Sequence, residues 1–396
     1  MNWGNALSQA WRELAYHRRG AFRGLAPVLL PLAWLFGHVS RLRRALYETG
    51  YLQQRRFPVP VISVGNLTVG GVGKTPFTLY LAELLQFNGY RPAIVMRGYG
   101  RRSPKPLILR SGPLHPHQIP TYGDEPALLS RYTEIPIGIG ADRGALIQTL
   151  TANRECGIIL LDDGFQHLPV HRDLDLVLLD GGNPTGNGHC LPYGPMREPA
   201  SALRRADAVV FHDAPSPSAK RLALTAFSPV FTGALEWIDL IPLGTWMKQR
   251  GTPGVTISHF AETPVILVSG IGSPERLEKQ ARALGLRVHE HLRFPDHYWF
   301  SDNDIRIFAL KSRQHPVLFT EKDAIRLVPH ESLLSELAER SYVIHAKWML
   351  HEPERFEMWL LGRMDALQKE RGNFQGTLES HRGKEQTFPL PGEEVG

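Results

Sequence analysis

The stretch VISVGNLTVGGVGKTPFT, residues 61–78, places a glycine-rich loop ending in Lys74 and Thr75 between two different hydrophobic patterns. Val59 to Val64 is apolar, largely β-branched and uncharged, which predicts a buried strand, whereas Pro76 to Gln86 predicts a helix closing at Gly89. The order is strand, loop, helix. Gly65, Gly70, Gly71 and Gly73 let the backbone wrap so that several N–H groups converge on an anion. In such a loop the lysine reaches the outer phosphates of a nucleotide, the threonine hydroxyl ligates Mg²⁺, and the helix N-terminus adds its positive end. Pro76 suits the first turn, whose N–H groups have no helical partner to lose. The pattern G-x-x-x-x-G-K-[ST] is incomplete, because its first glycine falls on Thr68. Nucleotide contact is expected along Thr68, Val69, Gly70, Gly71, Val72, Gly73, Lys74 and Thr75; the plainer alternative is a turn between two core elements.

A chain of 396 residues that is 42% hydrophobic can bury a sizeable core and has the length of two domains. Cys156 and Cys190 cannot build a disulfide framework and show no metal-cluster spacing, which suits a reducing compartment. The net charge of +6 is concentrated, since residues 1–60 hold nine arginines against Glu13 and Glu48. The remainder is close to neutral, which argues against a nucleic-acid groove over the body of the protein.

Those arginines flank LAPVLLPLAWLFGHV, residues 25–39. A helix of that length spans about 22 Å, short of the roughly 30 Å core of a bilayer. Arg41, Arg43 and Arg44 follow the apolar run with no small-residue cleavage site, so it does not read as a signal peptide. An apolar helix with arginines at both ends fits an element lying in the membrane interface among anionic headgroups. The alternative is a core helix ended by solvated arginines.

After the phosphate loop, RPAIVMRGYG, IPIGIGADRGALIQTL, GIILLDDGFQH, LDLVLLDGG and ADAVVFHD alternate short apolar runs with loops and helices. They describe a P-loop NTPase-like α/β fold, a parallel sheet with helices on both faces and ligands beyond the carboxyl ends of its strands. The expected division is a basic, apolar membrane-associating segment (1–50), a phosphate-loop core (51–213) and a Pro- and Gly-rich linker (214–262) with room for a hairpin around Phe231 to Ile238. A second, smaller α/β domain (263–366) and a polar, flexible tail (367–396) follow.

Asp162 and Asp163 leave an apolar strand, where P-loop enzymes hold Mg²⁺ directly or through water. By themselves Asp124 and Glu125 in TYGDEPALL read as a helix cap and first-turn acid, and His297 in FPDHYWF as a packed histidine among aromatics.

The segments GNLTVGGVGKTP, RGYGR, GDEP, LDDGFQH, LPYGPMREP, FPDHYWF and TEKDAIRL occur in this order over residues 65–327. Together they closely resemble the tetraacyldisaccharide 4'-kinase family, the lipid A 4'-kinases of Gram-negative envelopes. The family's phosphate loop resembles this one in lacking the first glycine. The resemblance implies transfer of the γ-phosphate of ATP to the 4'-hydroxyl of tetraacyldisaccharide 1-phosphate, with ATP and Mg²⁺ as cofactors. Lys74 and Thr75 would cradle the phosphates and metal, and Glu125, Asp162 and Asp163 would complete the metal environment. Asp124 and His297 would form the dyad that activates the hydroxyl. Tyr99, Arg143, His167 and Arg197 sit in family motifs and would face substrate or nucleotide; Arg143 beside Asp142 and Arg197 beside Glu198 also read as local ion pairs. The implied partners are an anionic glycolipid and a membrane surface, with neither nucleic acid nor an obligate protein partner. The implied place is the cytoplasmic face of the bacterial inner membrane, held by the N-terminal segment. TEKDAIRL matches without indicating a role.

Other readings make different demands on the residues. A membrane-associated regulatory ATPase would carry K-G-G-V-G-K-T, but Val69 stands where its signature lysine belongs. A GTPase would need N-K-x-D, and in TEKD Lys322 lies directly beside Asp323. A nucleotide-sensing scaffold would lack acceptor-dependent transfer.

Overall fold

The computed structural model describes residues 10–16, 24–110, 112–249 and 251–384, with side chains to 371. Its twelve strands are β1 (Val61–Asn66), β2 (Pro92–Met96), β3 (Leu107–Leu109), β4 (Ile137–Ile139), β5 (Ile158–Asp162), β6 (Leu174–Asp180), β7 (Ala208–His212), β8 (Val230–Pro242), β9 (Pro264–Ser269), β10 (Arg287–Arg293), β11 (Val317–Thr320) and β12 (Ser341–Leu350). They form one sheet in the order β10-β9-β11-β12-β8-β7-β6-β1-β5-β2-β4-β3.

From β8 to β4 every pairing is parallel, and β3 closes that edge antiparallel. Strands β12, β11, β9 and β10 form a second parallel block. The blocks meet at the antiparallel pair β8 and β12, which carries a bulge at His345/Ala346. Each central strand is buried along its length, as β1 and β5 are, because helices cover both faces. Twist of about 20–25° per strand accumulates across such a sheet, and a bulge bends it further. The loops after β9 and β10 thereby come to lie against the phosphate loop and the helix Asp124–Tyr132.

Three expectations change. The stretch read as a linker contains β8, one continuous 13-residue strand rather than a hairpin, which pairs with β7 on one side and β12 on the other. The apolar N-terminal run belongs to a longer helix, Ala26–Glu48. The helix Pro353–Lys384 continues through the first part of the expected tail, and residues 385–396 lie outside the described residues. Compactness divides the chain after His351, and that helix carries the second unit.

On Ala26–Glu48 only Ala33 and Gly37 are buried. A Cβ on Gly37 would meet Pro199 Cγ at 3.4 Å and Cys190 Sγ at 3.5 Å, so a small residue lets the helix seat closely. Its other side leaves Val28, Leu32, Trp34, Leu35 and Leu42 exposed. No helix among the described residues is long and apolar enough to cross a membrane.

Candidate active site

The helix Lys74–Phe87 buries Phe77, Thr78, Leu81, Ala82 and Leu85, one face at helical spacing, against the sheet. Packing on that face points its N-terminus at the loop after β1. Gly70 at φ 117° and Gly73 at φ 80° adopt backbone that favours glycine. A Cβ on Gly73 would also lie 2.7 Å from the Trp348 ring. Lys74 Nζ donates to Asn66 Oδ1 at 3.1 Å and stands 3.4 Å from Asp163 Oδ1. Thr75 Oγ1 donates to Asp162 Oδ2 at 2.8 Å.

Asp162 and Asp163 have different surroundings. Asp162 is buried at the end of β5, where a second hydroxyl, Thr78 Oγ1, donates to it at 3.2 Å. Burial, then the nearby Glu125 charge, push its carboxyl up to about 6. Asp163 receives Arg197 on both oxygens at 2.8 Å. Although burial opposes it, the charges of Lys74 and Arg197 hold its carboxyl well below the usual carboxylate range. Expected beside the metal, Asp163 makes its contacts to cations.

Asp124 is the first helical residue, after Gly123, and not the cap. Its side chain is almost completely buried and faces across to the second block. His297 Nδ1 lies 3.1 and 3.0 Å from the two carboxylate oxygens of Asp124. Arg326 Nε donates to Asp124 Oδ2 at 2.8 Å, and Arg326 NH1 donates to Gly270 O at 2.9 Å. Asp323 receives Arg326 NH1 at 3.1 Å and the Gly270 N–H at 2.8 Å. Burial pushes the Asp124 carboxyl up, but His297, Lys322 and Arg326 outweigh it and hold it far below its ordinary value. The TEKDAIRL segment thus builds a buried ionic lattice behind the dyad, with Thr320 capping its helix.

Lys322 from the same segment donates to Glu125 Oε1 and Asp296 Oδ1, both at 3.1 Å, and lies 3.3 Å from His297 Nε2. Burial alone would lower its basicity, but the Glu125, Asp296 and Asp124 carboxylates raise it above the lysine range. The Tyr99 ring sits 5.0 Å from the His297 ring, and Tyr99 is largely exposed.

A single cavity of about 1400 Å³ joins these groups. Val69 to Thr75, Asp162 and Asp163 line one part; Glu125, His297, Lys322 and Tyr99 line another; Phe36, Val39 and Arg43 of the N-terminal helix line a third. Arg197 also lines it, whereas Arg143, His167, Asp124 and Thr68 lie outside its wall. Arg143 is buried and donates to Asp163 O at 2.9 Å, while its neighbour Asp142 caps the following helix and meets Arg55 at 3.3 Å. Burial and surrounding arginines push His167 down to about 4. Glu198 pairs with Arg205 at 2.9 Å, not with Arg197.

Three residues of this constellation had no signal of their own in the sequence. Asp296 stands beside His297, and Lys322 and Arg326 lie in the TEKDAIRL match without an indicated role. A separate helical stretch at residues 10–16 reaches the same loops through backbone carbonyls: Tyr16 OH donates to Val69 O and Arg12 NH1 to Gly272 O at 3.1 Å.

The sequence profile of the tetraacyldisaccharide-1-P 4'-kinase family matches residues 25–365. A tetraacyldisaccharide 4'-kinase of Nitrosococcus oceani is 38% identical over 304 residues, 76% of this chain and 82% of that protein. One of Herminiimonas arsenicoxydans is 38% identical over 343 residues, 84% of this chain and 91% of its own length. Among solved structures, LpxK from Aquifex aeolicus in complex with ATP superposes with a TM-score of 0.65 at 30% identity, covering 86% of this chain and 99% of that one.

Proposed function

The chain belongs to the tetraacyldisaccharide-1-phosphate 4'-kinase family and is an ATP-dependent lipid A 4'-kinase; from that premise we propose how its residues divide the reaction. The γ-phosphoryl group of ATP passes to the 4'-hydroxyl of tetraacyldisaccharide 1-phosphate. An O–P bond forms on the sugar, the bond to the β-phosphate oxygen breaks, and ADP leaves.

The N–H groups of Gly70 to Gly73 hold the phosphates, the Val69 N–H being taken by Pro195 O at 2.8 Å, and Lys74, oriented by Asn66 and Asp163, follows the charge of the migrating group. Hydroxyl and carboxylate oxygens at Thr75 and Asp162 suit Mg²⁺, which takes hard oxygen ligands and usually one or two carboxylates beside phosphates. Thr75 and Asp162 would hold the ion, with Glu125 and Asp163 around it, and when bound it would neutralise charge on the phosphate oxygens.

Asp124 accepts the Nδ1–H of His297, which leaves Nε2 toward the cavity to take the proton of the 4'-hydroxyl. A positioned base contributes about 10²- to 10⁴-fold. Tyr99 beside the imidazole and Arg197 in the cavity wall meet substrate; Arg143 and His167 act from behind that wall.

The exposed apolar side of Ala26–Glu48 lies in the membrane interface at the cytoplasmic face of the inner membrane, its arginines among anionic headgroups. Acyl chains stay in the bilayer while the sugar reaches the cavity. The observation that carries this reading is the one cavity bounded by the phosphate loop, His297 and that helix. Incubation with ATP and tetraacyldisaccharide 1-phosphate in mixed micelles, followed by ³¹P NMR of the lipid, tests it. A second phosphomonoester at the 4' position supports it, and an unchanged lipid contradicts it.

A further inference from the structure

Lys322 is the one member of the TEKD segment whose side chain lines the cavity wall beside the proposed base while touching three of its groups. An ammonium has three donors and no acceptor. The ring nitrogen that faces it must therefore present a lone pair, so the proton of a neutral His297 resides on Nδ1, where Asp124 accepts it. The same ammonium ties Glu125 of the first block to Asp296 of the second. His297 stands at φ 60°, backbone held in place by its surroundings, and its own N–H donates to Asp296 Oδ1 at 3.1 Å. Lys322 thus touches the ring of His297, the residue that anchors its backbone, and the acid beside its partner Asp124.

We propose that Lys322 is a positioning residue for phosphoryl transfer: it fixes the tautomer and seat of His297 and occupies the place at Nε2 that the acceptor hydroxyl takes over. This rests on the lipid-kinase reading above. Once the sugar hydroxyl arrives, Glu125 and Asp296 retain the ammonium, so the base is released toward substrate without leaving a buried charge unpaired.

The test uses the full chain with ATP, Mg²⁺ and tetraacyldisaccharide 1-phosphate, comparing wild type, Lys322→Met and Lys322→Arg. Lys322→Met is expected to lower kcat by about 10- to 100-fold, with KM for ATP within about threefold, and Lys322→Arg to recover part of that loss. In ¹⁵N-histidine-labelled wild type, long-range ¹H–¹⁵N correlations, assigned with His297→Gln, are expected to show the Nδ1–H tautomer. An Nε2–H tautomer would overturn the proposal, and this readout stands even where Lys322→Met fails to fold. Wild-type kcat in Lys322→Met, or a loss confined to ATP affinity, would overturn it as well. Wild type that labels no lipid would sink the kinase reading itself; lipid labelled equally by wild type and Lys322→Met would sink only the role of Lys322.

Discussion

Asp163 at φ 52° and His297 at φ 60° occupy left-handed backbone that costs on the order of 1–3 kcal/mol. Both are among the residue types that bear it best, and both are held by ion pairs around them. A second histidine near the phosphate loop makes a pH prediction. Burial, with the Arg276 guanidinium adding to it, pushes His212 down to about 4. The unfolded chain then takes up the proton more readily than the folded one. Stability from this group is complete above about pH 6.5 and is lost as pH falls toward about 4. Urea midpoints at about pH 8 and about pH 5 should show a loss on the order of 1–3 kcal/mol that His212→Gln reduces; an equal loss in both proteins would remove His212 as its source. At this scale Lys74, Thr75 and Asp162 were legible, because each obeys a local spacing rule. Asp124 and His297 were not, except through family resemblance. Their meaning depends on partners 173 positions apart and on Arg326 and Lys322, which no local pattern connects to them.

Among the elements, the phosphate loop was the most legible, since strand, glycines and helix follow one another in 18 residues. Its conformation makes a separable prediction at two glycines with the same φ of 80°. Gly73→Ala adds a Cβ 2.7 Å from Trp348, whereas Gly89→Ala meets nothing within 4 Å. Both variants should lose on the order of 1–3 kcal/mol from the backbone. Only Gly73→Ala should also raise KM for ATP, by at least about tenfold; equal KM values for the two would show that the Trp348 contact does not shape the loop. The helix Asp124–Tyr132 was legible as a helix with Glu125 in its first turn, but Asp124 is not its cap. Gly123 takes the cap position, and Ala127 of that helix packs into the core with Trp246 and Phe308 from the second block. Burial there turns Asp124 inward to Arg326.

Across the whole molecule, the alternation of apolar runs with helices correctly indicated two α/β blocks, but not that they share one sheet. The join lies in β8, whose sequence VFTGALEWIDLIP alternates buried and accessible residues and interrupts them with Gly233 and charged side chains. Such a strand resembles a loop until a distant partner, β12, pairs with it. The apolar run at residues 25–39 was legible as a helix short for a bilayer span, but its continuation to Glu48 was not, because arginines interrupt the apolar pattern there. Replacing Val28, Leu32 and Leu35 together by Gln removes exposed apolar surface that does not line the cavity. At roughly 25 cal/mol per Å² of apolar surface, binding to anionic vesicles should weaken by at least about tenfold in a sedimentation assay. KM for the lipid should rise and KM for ATP should stay unchanged; undiminished vesicle binding would place the attachment elsewhere.

The most direct test of the central claim follows γ-labelled ATP through a single turnover, with Mg²⁺ and tetraacyldisaccharide 1-phosphate in mixed micelles. Wild type is set beside His297→Asn, which suits the left-handed backbone at this position. Label is expected in the lipid with wild type, and a rate of transfer lower by about 10²- to 10⁴-fold in the variant, with ATP binding preserved. Label released as free phosphate with none in the lipid, or equal rates of transfer in the two proteins, would contradict that claim.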